Sequence, residues 1–187
     1  RRKERMGNKP TRVLVAGLKN TGKTALFARL TGQPVAEVHV PTESCNEGET
    51  VFQGHRVLLT DVAGDFAHRR QWDLFFEATD GLVFVIDATK LQKHMQEAAT
   101  AFWTVLSDKR MRNVPALVLV NKCDLLPATA AKDDVAALVR QRLHVDEMGV
   151  DAKVLPVSLK DNSGVDEGLD WLIAAVARAR KVKLHDV

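Results

Sequence analysis

Eight consecutive residues, Gly17-Leu18-Lys19-Asn20-Thr21-Gly22-Lys23-Thr24, have the types and spacing to hold a polyphosphate. They fit the pattern G-x-x-x-x-G-K-[ST] of a phosphate-binding loop. Gly17 and Gly22 free the backbone to curl, so the N–H groups of Lys19, Asn20, Thr21, Gly22, Lys23, Thr24 and Ala25 can close around phosphate oxygens. Lys23 can reach the outer phosphates, and the Thr24 hydroxyl can sit on Mg²⁺. The loop needs a strand before it and a helix after it. Val13-Leu14-Val15-Ala16 reads as that buried strand, and Ala25 to Leu30 as the opening turns of the helix. The alternative is an ordinary glycine turn between a strand and a helix.

Three more polar stretches stand at the ends of apolar runs: Asp61-Val62-Ala63-Gly64, Asn121-Lys122-Cys123-Asp124 and Ser158-Leu159-Lys160. Taken alone, the first is also a common turn chemistry and the second a polar loop end. Six strands are expected to position them, over 12–16, 50–52, 56–60, 81–87, 116–120 and 153–157. The second and third form a hairpin turned by Gln53-Gly54-His55. Helices are expected over 22–31, closed by Gly32, and over 91–106, 133–143 and 166–181. Gln33 to Gly48 lacks periodicity and reads as a loop. Asp65 to Asp80 is polar and aromatic, with Trp72, Phe75 and Phe76 about one helical turn apart. Apolar strands alternating with helices predict an α/β protein. Its layers are a mainly parallel six-stranded sheet with one antiparallel edge strand and helices on both faces.

At 187 residues there is room for one full core but not two domains of usual size. We expect a basic extension over 1–11, a globular domain over 12–181 and a short tail over 182–187. The net charge is only +3, with the excess at the two ends. Such clusters touch anionic lipid or nucleic acid in some proteins and are solvated tails in most. Tyrosine is absent and aromatics are few, so a stacking platform for single strands is unsupported and no nucleic-acid partner is expected. Cys45 and Cys123 suggest neither a metal site nor a disulfide framework, which fits a reducing, cytoplasmic compartment. No apolar run approaches the roughly 18 residues that span a bilayer. The opening Arg1-Arg2-Lys3-Glu4-Arg5 suits a surface linker or the cytosolic side of an upstream membrane anchor. The six histidines are scattered, suit surface roles and suggest no metal or catalytic centre; His68, three residues past Asp65, is the one to watch for proximity to the nucleotide.

Together these stretches resemble a small GTPase of the Ras-like superfamily, a phosphate-loop G domain. The resemblance implies GTP or GDP with Mg²⁺ as cofactors. Asn121-Lys122-Cys123-Asp124 matches the family's N-K-x-D, in which the Asp accepts paired hydrogen bonds from guanine that adenine cannot offer. Ser158-Leu159-Lys160 resembles its S-A-K guanine loop. Asp61 and Gly64 take the ends of D-x-x-G: the Asp holds the Mg²⁺ hydration shell and the Gly N–H meets the γ-phosphate. Thr42 falls where the family places a second hydroxyl on Mg²⁺. Within the superfamily the Arf and Arf-like group is most similar, through Pro41-Thr42 with Asn46, Trp72, Phe75-Phe76 and Glu167-Gly168-Leu169-Asp170-Trp171-Leu172. Thr21 to Phe27 also looks like the β subunit of the signal recognition particle receptor, another Arf relative. The short stretch from Asp124 to Ser158 fits the Arf-like group better.

One departure bears on catalysis. Lys23, Thr42, Gly64 and the residue after it are the family's hydrolytic machinery, and that last position, usually Gln, is Asp65 here. A carboxylate is repelled by the γ-phosphate and lacks the amide's donor. The resemblance therefore implies a switch with slow GTP hydrolysis at most, acting through effectors and regulators on the loops around Thr42 and Gly64, in membrane traffic or protein targeting. Alternatives are a GTPase-fold subunit that does not turn over, or an Asp65 that points into solvent. An ATPase or kinase would need an adenine site, against which the Asn121–Asp124 stretch argues.

Overall fold

The computed structural model describes residues 9–33, 45–147 and 149–185. Six strands, β1 (Thr11–Gly17), β2 (Cys45–Phe52), β3 (His55–Val62), β4 (Gly81–Asp87), β5 (Ala116–Asn121) and β6 (Ala152–Pro156), form one sheet. Its order is β2-β3-β1-β4-β5-β6. Only the β2–β3 pair is antiparallel; the other four contacts are parallel. The helices are α1 (Lys23–Thr31), α2 (Leu91–Leu106), α3 (Lys132–Arg142) and α4 (Val165–His185).

Alternation along the central strands explains the two helical layers. In β4, Leu82, Phe84 and Ile86 face one side, packing with Phe102 and Val105 of α2 and Val139 of α3. Val83 and Val85 face the other, with Leu26 and Phe27 of α1 and Leu169, Leu172 and Val176 of α4. All seven residues of β4 are buried, as a central parallel strand requires. Phe84 meets Phe102 edge-on at 5.3 Å between ring centroids.

Most boundaries shift by one or two residues, and two differ by more. β2 begins at Cys45, so the last four residues of the expected loop, up to Gly48, belong to a strand. An edge strand in which exposed Glu47 and Glu49 alternate with half-buried Asn46, Gly48 and Thr50 carries little hydrophobic signal; the β3 ladder, running from Cys45↔Val62 to Phe52↔His55, imposes the conformation. α4 continues past Lys181 to His185. The aromatic stretch is a 3-10 helix, Arg69–Ala78, burying Trp72 and Phe76.

Candidate functional site

Every sequence-predicted stretch that lies among the described residues gathers at the carboxyl edge of the parallel strands. There β1 ends in Gly17, β3 in Asp61-Val62, β4 in Asp87 and β5 in Asn121. In open α/β sheets this edge is where ligands bind. Thr42 lies outside the described residues.

The phosphate loop is pinned from within. Thr21 Oγ1 and Lys23 Nζ both donate to the Leu18 carbonyl, at 3.0 and 2.8 Å. Gly22 has φ +110°, and a Cβ there would run into the Asn121 side-chain amide. Lys23 is 6% exposed. Burial pushes its pKa down to about 8, against the pull of Asp61's charge; Arg69 pushes the same way as burial and Asp65 against it. A buried ammonium with one neutral acceptor is poised for an anion.

Asn121 joins the two halves of the site. Its Nδ2 donates to the Thr21 carbonyl at 2.9 Å, and its Oδ1 accepts from the Leu159 N–H at 3.1 Å. Lys122, at φ +69°, reaches back to the Asn20 carbonyl and to Asp87 Oδ2, both at 2.7 Å. Burial alone would raise the Asp87 pKa; the Lys122 and Thr89 hydrogen bonds outweigh it and hold the carboxyl below its ordinary value. Ser158, fully buried, donates from Oγ to Asp124 Oδ1 at 2.9 Å. Leu159 is half-buried, and Lys160 is exposed.

Thr24 Oγ1 stands 2.8 Å from Asp61 Oδ2, and Asn46 Nδ2 donates to the same oxygen at 3.2 Å. A hydroxyl beside a carboxylate is the hard-oxygen pair that suits Mg²⁺, which keeps several waters and leans on substrate phosphates. Among the described residues no three His, Cys, Asp or Glu gather into a closed metal cage. The residues present fit a cation held partly by a phosphate ligand.

After Asp61 the chain turns under the phosphate loop. Gly64 is so close that an added Cβ would meet the Lys23 amine and the Gly17 carbonyl. Asp65 turns onto His68: Nδ1 lies 2.8 Å from both carboxylate oxygens, and the His68 N–H donates to Oδ1 at 3.2 Å. The His68 side chain is the first cause holding the Asp65 pKa below its ordinary value. Asp65 is thus neither free in solvent nor a lone charge beside Lys23.

Asn46, Arg69, Trp72, Asp87 and Glu97 each hold part of the site in place, a role the sequence did not announce. Asn46 and Trp72 stood out only as marks of the Arf-like resemblance, and Asp87 as an acid closing an apolar strand. Trp72 is part of the core, and its Nε1 also donates to the Ala63 carbonyl at 2.8 Å.

The model of the ADP-ribosylation factor family matches residues 2–176. The chain belongs to the ADP-ribosylation factor family. It is therefore an Arf-like small GTPase, a G domain that binds guanine nucleotide. Similar relatives include ADP-ribosylation factor-like protein 3 of Chlamydomonas reinhardtii, 30% identical over 88% of this chain and 90% of that protein. ADP-ribosylation factor-like protein 2 of Drosophila melanogaster is 29% identical over 95% and 93%. The fold is shared with the Arl6 BBS3 small GTPase from Trypanosoma brucei, solved with the nucleotide analogue GppNp, at TM-score 0.76 and 21% identity over 91% of this chain and 99% of that one. It is also shared with a chain of the mammalian SRP receptor structure, at TM-score 0.72 and 22% identity over 88% and 99%. Among the described residues no helix of this Arf family member is long and apolar enough to cross a membrane.

Proposed function

We propose that this Arf-like protein is a GTP-dependent switch in membrane traffic or protein targeting, with weak intrinsic hydrolysis. In this reading Gly17, Lys19, Asn20, Thr21, Gly22, Lys23, Thr24 and Ala25 cradle the phosphates, and Asp124 reads the guanine edge. Asn121, Lys122, Ser158, Leu159 and Lys160 complete the base loop. Thr24, Asp61 and Thr42 hold Mg²⁺, which when bound neutralises charge building on the β- and γ-phosphates. The loops around Thr42 and Gly64 order on the γ-phosphate and relax when it is lost.

The observation that carries the weak-hydrolysis reading is Asp65 bonded through both oxygens to His68. The residue that would orient the attacking water is a carboxylate already engaged elsewhere. Phe66, about three-quarters exposed, lines a cavity of about 250 Å³ between this segment and α2, and with the equally exposed Leu74 of the 3-10 helix offers a surface to effectors and regulators. Phosphate release from loaded GTP, for wild type and Asp65→Gln, tests the reading. Faster release by the Gln variant supports it; a wild-type rate already above that of the variant contradicts it.

A second reading, a GTPase-fold subunit of a larger assembly with no turnover, is favoured by the same Asp65–His68 pair. It expects no release in either protein and GTP retained through purification.

A further inference from the structure

Two consecutive carbonyls of the loop leaving β3 are each held by a side chain from the 3-10 helix that follows. Trp72 Nε1–H donates to the Ala63 oxygen at 2.8 Å, and Arg69 Nε–H to the Gly64 oxygen at 3.1 Å. A trans peptide is planar, and its C=O and the next residue's N–H point in opposite directions. Holding the Ala63 oxygen therefore aims the Gly64 N–H, and holding the Gly64 oxygen aims the Asp65 N–H. Gly64 lies against Lys23 and Gly17, so these N–H groups belong to the end of the phosphate loop that Lys23 marks.

The two donors are themselves fixed. Trp72 is 3% exposed within the core. The Arg69 side chain lies 5.7 Å from the Phe66 ring centroid, and its Nη2 donates to Glu97 Oε1 of α2 at 2.6 Å. Its charge reaches Lys23.

We propose that Trp72 and Arg69 are positioning residues that aim the Gly64 and Asp65 peptide N–H groups at the terminal phosphate, and so set the preference for GTP over GDP. The inference rests on the switch reading above. Neither side chain touches the nucleotide; each acts through a peptide plane. Because Glu97 holds the far end of Arg69, the same bridge makes the preference depend on α2.

The test is the ratio of affinities for GDP and a non-hydrolysable GTP analogue, measured by competition with a fluorescent GDP on the full chain. Trp72→Phe keeps a ring in the core and removes the N–H; Glu97→Gln changes the anchor of Arg69, together with an exposed contact to His94, at a half-exposed position. For Trp72→Phe the preference for the analogue falls about three- to tenfold, the worth of one net hydrogen bond, with the GDP affinity within about twofold of wild type. Glu97→Gln lowers the ratio by a smaller factor, and its exposed position keeps the test available if the tryptophan variant does not fold. A wild-type preference that Glu97→Gln and any folded Trp72→Phe leave unchanged overturns the inference alone. Wild-type protein that binds no guanine nucleotide overturns the switch reading and the inference with it.

Discussion

Replacing Asn121 with Ala separates the two halves of the site without changing a residue of the phosphate loop. The side chain is 3% exposed and makes two hydrogen bonds, to the Thr21 carbonyl and from the Leu159 N–H. Their loss costs about 1–1.5 kcal/mol each, so about 2–3 kcal/mol in all. For a domain of this size that lowers Tm by about 4–12 °C. The loops must then be brought into register when nucleotide arrives, so affinity for GDP falls about tenfold for each 1.4 kcal/mol of lost preorganisation. Asn121→Asp keeps an acceptor for Leu159 but sets a carboxylate against the Thr21 carbonyl, and is the more damaging of the two. Thermal unfolding without added nucleotide, followed by titration with GDP, measures both effects. An Ala variant with wild-type Tm and wild-type affinity would refute the claim that Asn121 is a structural bridge.

Lys23→Met removes a buried ammonium and leaves the Leu18 carbonyl with its Thr21 bond, so without nucleotide the variant melts a few degrees above wild type. At GTP concentrations about a thousandfold over Kd the order reverses, because only wild type gains the roughly 4 kcal/mol of ligand stabilisation. Ser158→Ala frees the carboxylate of Asp124 from its orienting hydroxyl; guanine nucleotide affinity falls severalfold in the same titration, with ATP still excluded. Asp108, whose carboxyl the Arg110 side chain holds down to about 2, contributes stability that is complete above its ordinary value of 3.8 and is lost as pH falls toward 2. In acid unfolding the gap between wild type and Asp108→Asn therefore closes across that window; a gap that widens there contradicts the assignment.

The sheet was legible because central parallel strands are unbroken apolar runs, as in Ala116–Val120, and because β4 and β5 end in Asp87 and Asn121, polar residues that do not continue the core. The site was legible where chemistry demands a fixed spacing, as between Gly17, Gly22 and Lys23. It was illegible where a residue works through a contact distant in the chain: Glu97 meets Arg69 across 28 positions, and no local pattern announces that pairing. β2 was truncated in the reading because an edge strand takes its conformation from its neighbour rather than from its own alternation. The bond from Asp65 to His68 was within reach as an i, i+3 pair in a turn; its bidentate form needed coordinates.

The most direct test of the central claim is to denature the purified protein, identify any nucleotide it releases by chromatography, and compare GTP with ATP as competitors for the refilled site. The account predicts a released guanine nucleotide and a site that GTP fills and ATP does not. A released adenine nucleotide, or equal competition by ATP, would contradict it.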